Sequence, residues 1–183
     1  MNREEGMIIL QKNLPNDSLI KHCIAVGAVM EELAVHFGED KEKWFLAGLL
    51  HDIDYEITKT KPEKHGIIAM EILADCKLSN DILQAIKAHS GNFPAETLFD
   101  KALLIADPIT GLITASALIN PAKKVSAVKL KSLKKKFKNK KFAAGANREQ
   151  IADCEKIGLQ LNDFLELSLK AMVAYQDQLG LGD

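Results

Sequence analysis

Apolar residues recur at helical spacing along most of the chain. Between residues 17 and 37 they stand three or four positions apart, which places them on one face of a helix: Leu19, Cys23, Val26, Met30, Leu33 and Phe37. Asn16 or Asp17 is a suitable N-cap for this helix, and Gly38 is a suitable stop. The pattern therefore predicts a long amphipathic helix near the start of the chain.

Two further helices are predicted in the next part of the chain. An almost wholly apolar helix should begin after Asp40, with His51 and Asp52 at its C-terminal end. Pro62 suits the first turn of the next helix, where a missing N–H is tolerated. That first turn would carry His65.

The next helices also carry polar residues at special positions. Ser79 should cap a fourth helix that leads to His89 at its end. A long helix is predicted over residues 95–119, and Pro108 should kink it because the proline ring excludes the N–H of an interior hydrogen bond. Asp107 lies at this kink.

The C-terminal third differs from the rest in charge. Residues 123–141 hold ten lysines and no acidic residue, although the whole chain has a net charge of -1. This lysine-rich segment is predicted to be largely helical, and a loop follows at residues 143–146. Asn147 can cap a final helix, predicted over residues 147–178.

With no convincing strand, these elements predict an all-α fold, a compact helical bundle. A chain of 183 residues that is 47% hydrophobic suits one domain over residues 1–183, with its core at about residues 17–120. The lysine-rich segment and the C-terminal helix would pack on that core. We expect a cytoplasmic protein that does not enter a membrane, because no continuous apolar run approaches the roughly 20 residues of a membrane span.

Histidine and aspartate residues recur along the predicted helices, and most of them lie at or near a helix end. Their order is H…HD…H…H…D, and the members are His22, His51, Asp52, His65, His89 and Asp107. The fifth histidine, His36, lies outside this pattern. The three cysteines are widely spaced and form no CxxC pair, so we expect reduced, buried thiols rather than a disulfide framework.

This order and the phrases LAGLLHDIDYE, PEKHGIIAMEIL, AIKAHSG and LLIADPITGLI together resemble the HD-domain metal-dependent phosphohydrolases. The resemblance covers roughly residues 17–120 and is closest to small HDIG-type bacterial and archaeal members. The order of ligands is also similar to that of the HD-type diadenosine tetraphosphate hydrolases. Two positions depart from the family pattern: Asp54 replaces the glycine of HDIG, and Tyr55 stands where many members have a lysine.

The resemblance implies a metal centre. One ion would have four ligands, His22, His51, Asp52 and Asp107, and His65 and His89 would join Asp52 to hold a second. Asp52 suits the bridging position because a carboxylate has two oxygens to share. Imidazole and carboxylate ligands suit Fe, Mn, Zn or Co, and two such ions about 3.5 to 4 Å apart can lower the pKa of a bridging water. Either one or two ions fit this set.

Asp52 and Asp54 are the candidate catalytic residues. Asp54, like Glu56, is near enough in sequence to transfer a proton or to support a metal ligand. The candidates for binding substrate phosphates are Lys131, Lys135, Lys138 and Arg148. The alternative is that these lysines form only the solvated face of an amphipathic helix.

The resemblance implies a metal-dependent phosphohydrolase that cleaves a phosphoester or phosphoanhydride bond by metal-activated water. Its partner would be a small phosphorylated substrate, a nucleotide above all. The alternative is a non-catalytic regulatory module that binds a metal and a nucleotide. Nucleic-acid binding through the lysine-rich segment ranks last, because the segment lacks arginines and has few aromatic residues for stacking on bases.

Overall fold

A computed structural model describes residues 1–182 of the chain. It confirms the all-α prediction, and no strand occurs within those residues. The α-helices in chain order are α1 (Arg3–Asn13), α2 (Asp17–Phe37), α3 (Lys41–Leu50), α4 (Tyr55–Thr58), α5 (Ile67–Leu73), α6 (Asn80–His89), α7 (Leu98–Leu118), α8 (Leu130–Lys138), α9 (Arg148–Ala152) and α10 (Leu161–Ala174). Three 3-10 turns lie between them, at Pro62–Lys64, Val125–Ala127 and Asp153–Ile157.

The bounds of α2 agree with the prediction because its caps are strong. The Asn16 side chain accepts a hydrogen bond from the Ser18 N–H, and Gly38 adopts a left-handed conformation with φ of 72°. Asp40 caps α3 in the same way, by accepting from the N–H groups of Glu42 and Lys43. Local sequence signals therefore define both helices.

Helix α2 lies at the centre of the bundle and packs against α3, α7 and α10. Its closest neighbour is α3, and the two backbones meet at Gly27 and Gly48. A Cβ atom added at Gly48 would lie only 2.7 Å from the Cα and the N of Gly27. Only glycine permits this approach. The contact fixes the C-terminal end of α3, where His51 and Asp52 follow, against α2.

The structure corrects the predicted position of His65. This residue does not lie on the first turn of a helix but between the 3-10 turn Pro62–Lys64 and α5. Gly66 separates the two elements with a φ of 82°, a left-handed value that interrupts the helix. The long helix α7 does run continuously through Pro108. It begins at Leu98 because Thr97 and Asp100 form a capping box.

The prediction of one continuous C-terminal helix is wrong. Helix α9 ends at Ala152 and passes into a 3-10 turn, and Gly158 then takes a φ of 84° before α10 begins. In the lysine-rich segment only α8 and one 3-10 turn are helical. Helices α1 and α4 were not predicted. Helix α1 is anchored by a capping box between Asn2 and Glu5.

Helix α7 is long and apolar enough by composition to cross a membrane. In the structure 61% of its most apolar window is buried within the protein. Packing against the other helices of the bundle thus accounts for the apolar composition of α7. Length and hydropathy alone are weak support for a membrane span.

Candidate metal centre

The structure brings all six predicted ligands together at one end of the bundle. Each comes from a different position on the fold: His22 from α2, His51 and Asp52 from the end of α3, His65 from the loop before α5, His89 from the last residue of α6, and Asp107 from α7. Two overlapping triads have ligand atoms within 4.8 Å of one another, His22 with His51 and Asp107, and His51 with Asp52 and His89.

Asp52 lies between two groups of ligands. Its Oδ2 atom is 3.5 Å from His51 Nε2 and 3.8 Å from His22 Nε2. Its Oδ1 atom is 3.3 Å from His65 Nε2 and 3.4 Å from His89 Nε2. Each oxygen therefore faces a different pair of imidazoles, which is the arrangement that a bridging carboxylate requires.

His51 offers a lone pair that nothing else in the described chain uses. Its side chain is fully buried, and its Nδ1 atom donates to the Gly48 carbonyl at 2.8 Å. The Nε2 atom is buried without a hydrogen-bond partner among the described residues. Burial lowers the pKa of His51 to about 4, so the imidazole is neutral at neutral pH. A neutral, oriented imidazole with a free nitrogen fits a metal ion.

His89 is held in the same way as His51. It is buried, and its Nδ1 atom donates to the Ile86 carbonyl at 2.5 Å, which leaves Nε2 to face Asp52. The Nε2 atoms of His65 and His89 are only 3.0 Å apart. Ligand atoms about 2.0 to 2.2 Å from one ion stand about 3 to 3.5 Å from each other, so this spacing fits a shared ion.

His22 is positioned by Thr110, a residue whose role was not predicted. The Thr110 hydroxyl donates to the Asp107 carbonyl at 2.8 Å, so its oxygen is left to accept from His22 Nδ1 at 3.2 Å. His22 Nε2 then lies 3.1 Å from Asp107 Oδ1. Thr110 stands three residues after Asp107 on α7, and this spacing puts both side chains on one face of the helix. The spacing is the sequence signal that could have identified Thr110.

The structure corrects the catalytic role predicted for Asp54. This carboxylate is fully buried and lies behind His65, where its Oδ1 atom is 2.8 Å from His65 Nδ1. Burial lowers the pKa of His65, but hydrogen bonds to Asp52 and Asp54 outweigh it and raise the pKa to about 9. Asp54 is therefore a positioning residue, because its oxygens are committed to the protein and cannot reach a substrate.

The centre opens into a cavity of about 540 Å³. Besides the ligands, its walls include Tyr55 from the start of α4 and Gly145 and Gln150 from the C-terminal third. Tyr55 is 40% exposed, so its ring faces solvent at the cavity edge. No pattern in the sequence pointed to Gly145 or Gln150, because tertiary packing brings the loop that carries Gly145 and the helix α9 that carries Gln150 to the cavity.

The model of the HD domain family matches residues 19–147. The chain belongs to the HD domain family. Members of this family are largely metal-dependent hydrolases, and the family binds divalent metals. The resemblance in the sequence is thus confirmed, and the histidine and aspartate side chains grouped at this centre fit the expected class of metal.

Three relatives show how far the similarity extends. This HD domain is 30% identical over 132 residues to the symmetrical bis(5'-nucleosyl)-tetraphosphatase of Bacillus subtilis, covering 60% of this chain and 69% of that protein. It is 32% identical over 93 residues to ribonuclease Y of Alkaliphilus metalliredigens, covering 51% of this chain and 20% of that protein. It is 32% identical over 96 residues to an uncharacterized protein of Methanocaldococcus jannaschii, covering 50% of this chain and 55% of that protein. The chain thus spans about a fifth of the length of this ribonuclease Y.

The predicted phosphate-binding residues lie apart from the cavity walls. Lys131, Lys135 and Lys138 are exposed on α8, and none of them lines the metal-centre cavity. The prediction that Arg148 binds a substrate phosphate is wrong. Its guanidinium is buried and donates to the carbonyls of Phe137, Phe142, Ala143 and Ala146. A guanidinium satisfied by backbone carbonyls is not free to hold a substrate phosphate. It instead fixes the loop that carries Gly145 to the cavity.

Proposed function

We propose that this HD domain protein is a phosphohydrolase that cleaves a phosphoester or phosphoanhydride bond of a nucleotide or another small phosphorylated metabolite. One observation carries the proposal: the two oxygens of Asp52 face separate groups of histidines, and the Nε2 atom of His51 is buried without a partner among the described residues. A buried polar atom without a partner is costly, and a metal ion would satisfy it.

Six residues would hold the metal. His22, His51 and Asp107 would bind one ion, His65 and His89 a second, and Asp52 would bind both. Divalent ions at such a centre acidify a water molecule and neutralise charge on phosphoryl oxygens. The Nδ1 atoms of His51 and His22 bond to the Gly48 carbonyl and the Thr110 hydroxyl, and these hydrogen bonds leave their Nε2 atoms free to bind an ion.

A nucleotide is the substrate class that we favour. Symmetrical bis(5'-nucleosyl)-tetraphosphatase, whose name describes cleavage of a nucleotide, is the relative that this chain covers most fully among the three described above. The cavity at the centre, at about 540 Å³, lies within the range of roughly 300 to 1,000 Å³ that small-molecule sites occupy. The open wall at Tyr55 would let a substrate extend beyond the phosphate under attack.

The test compares metal content and hydrolysis in wild type, Asp52→Ala and His36→Ala. His36 is an exposed histidine on α2 outside the ligand set, so His36→Ala is the matched control. We expect one or two transition-metal ions per chain by elemental analysis in wild type and control, and loss of both metal and phosphate release in Asp52→Ala. Helical circular dichroism should be unchanged in all three proteins.

The outcomes separate the two functions considered. Phosphate release from a panel of nucleotides and dinucleoside polyphosphates, lost in Asp52→Ala, would support a hydrolase. Metal binding without release from any compound would favour the non-catalytic regulatory module. Failure to bind Mn or Fe after incubation, together with turnover that survives in Asp52→Ala, would contradict the proposed centre.

A further inference from the structure

A second cavity lies beside the metal centre, and none of the predicted roles uses it. Its volume is about 440 Å³, and it is bounded by the start of α2, the second half of α7 and residues 179–181. Its walls include small and apolar residues, among them Gly111, Ala115, Leu118, Leu179 and Leu181. The cavity is large enough to hold an organic group the size of a small ligand.

The two cavities share a wall at His22. This residue lines both of them, and its Nε2 atom faces Asp107 on the metal-centre side. Gly111 lines the second cavity one helical turn after Asp107, a step of about 6 Å along α7. A molecule whose phosphate lies at the metal centre therefore has the second cavity within reach of its next chemical group.

The second cavity combines an apolar wall with a polar rim. Leu118 is 53% exposed although it is a large apolar side chain, so part of the wall is left uncovered. Ser18, Lys21 and Thr114 lie at the same cavity. An apolar wall with a few hydrogen-bonding groups suits a flat heterocycle and its sugar better than it suits a second phosphate.

The wall formed by the C-terminal residues is fixed in place. Leu179 and Leu181 are buried, with exposed fractions of 5% and 7%. The Leu181 N–H donates to the Gln176 carbonyl at 2.8 Å, and the Leu181 carbonyl accepts from the Val125 N–H at 3.0 Å. The cavity is thus preformed and does not depend on a chain segment that must first become ordered, which favours binding.

Gly111 keeps the cavity open from the side of α7. A Cβ atom added there would meet no atom within 4 Å, since the position faces open space. Glycine inside a helix is less favourable than a residue with a side chain. Any larger side chain at this position would therefore enter the cavity without straining α7.

We propose that this cavity binds the nucleoside portion of the substrate while its phosphate lies at the metal centre, and that Gly111 makes room for it. The inference rests on the proposed phosphohydrolase function and adds to it a place for the organic part of the substrate. Substrates with a nucleoside would bind more tightly than those with the phosphoryl group alone, because burial of an apolar ring adds favourable free energy.

The test measures binding rather than turnover, by isothermal titration calorimetry on Mn-loaded protein. The probes are the non-hydrolysable 5'-methylenephosphonates of four nucleosides (A, C, G and U), and methylphosphonate serves as the probe that lacks the nucleoside. Gly111→Leu fills the cavity. Asn162→Leu, at an exposed position of α10 that lines neither cavity, adds the same side chain elsewhere. Metal content and helical circular dichroism are measured on each protein.

We expect at least one nucleoside phosphonate to bind wild type and Asn162→Leu about tenfold or more tightly than methylphosphonate. In Gly111→Leu this advantage should disappear, while methylphosphonate affinity and metal content stay as in wild type. No advantage in wild type, or an advantage that survives in Gly111→Leu, would overturn the cavity assignment alone. If methylphosphonate fails to bind Mn-loaded wild type and no nucleotide is hydrolysed, the phosphohydrolase proposal is overturned together with this one.

Discussion

The Nδ1 atom of His65 lies 2.8 Å from the Oδ1 atom of Asp54, a carboxylate that is fully buried. The other carboxylate oxygen accepts hydrogen bonds from the N–H groups of Gly66 and Ala69, each at 2.9 Å. One side chain thus holds the loop before α5 and turns the opposite nitrogen of His65 toward Asp52. Asp54, the residue that departs from the HDIG pattern, therefore orients the candidate metal ligand His65.

Asp54→Asn should weaken metal binding without unfolding the protein. The amide nitrogen of asparagine must face either His65 Nδ1 or the two backbone N–H groups, and either arrangement disturbs the orientation or tautomer of His65. Loss of such a support for a histidine ligand weakens metal binding by about 10- to 100-fold. Competition with a chelator for Mn measures the affinity.

The matched control is Asp153→Asn, which makes the same change at a partly exposed aspartate that forms an ion pair with Lys156. Its metal affinity should equal that of wild type. Equal affinities in Asp54→Asn and wild type would show that His65 does not need Asp54 for its orientation.

Substitution by alanine should have opposite effects on stability at Gly48, which contacts Gly27, and at Gly111, which faces open space. A Cβ at Gly48 would lie 2.7 Å from the Gly27 backbone, so Gly48→Ala must push α3 away from α2. Forced overpacking of this kind costs about 1 to 3 kcal/mol. Gly111→Ala meets no atom within 4 Å and should stabilise the protein by up to about 1 kcal/mol. Urea unfolding of both variants gives the comparison, and equal stabilities would contradict it.

The parts of the fold that were predicted correctly are those with local signals. The caps Asn16 and Asp40 and the stop at Gly38 define α2 and α3 in the sequence itself. The glycine at 158 is a signal of the same kind that the prediction ignored, because the apolar spacing continues across it. Periodicity alone cannot show that a helix is interrupted when both halves bury the same face.

The candidate site also has parts that could be predicted from the sequence and parts that could not. The grouping of the six candidate ligands could be predicted because their order along the chain matches a family pattern, and the structure brings the six side chains together. The lining residues Gly145 and Gln150 come from a segment far from them in sequence. Arg148 was misinterpreted because a cation beside a lysine-rich segment suggests phosphate binding, whereas its burial under four carbonyls is visible only in the fold.

A cluster that joins α1, α2 and α10 predicts a pH effect on stability. Arg3 donates to Glu31 at 2.8 Å, and the Tyr175 hydroxyl donates to the same carboxylate. Burial raises the pKa of Glu31, but the hydrogen bonds from Arg3 and Tyr175 outweigh it and lower the pKa. A lowered pKa stabilises the fold above the unfolded value, about 4.3, and this stabilisation is lost as pH falls through the folded value.

The free energy of unfolding should therefore differ between wild type and Glu31→Gln more at pH 7 than at pH 3. Urea unfolding at the two pH values measures the difference. Glu39→Gln is the control, because Glu39 is exposed, and its difference from wild type should be small at both pH values. A difference for Glu31→Gln that grows toward pH 3 would reverse the sign and contradict the assignment.

The buried Arg148 should control the loop at the metal-centre cavity. Arg148→Gln leaves backbone carbonyls at residues 137–146 without their donor, so this loop should loosen and trypsin should bind the backbone at the exposed Lys140 and Lys141 more readily. We expect faster tryptic cleavage after these lysines, unchanged metal content, and hydrolysis reduced about tenfold or more because Gly145 and Gln150 are displaced from the cavity. Lys138→Gln, an exposed change on α8, should leave all three measurements as in wild type; reduced hydrolysis there would restore the predicted phosphate-binding role of that lysine.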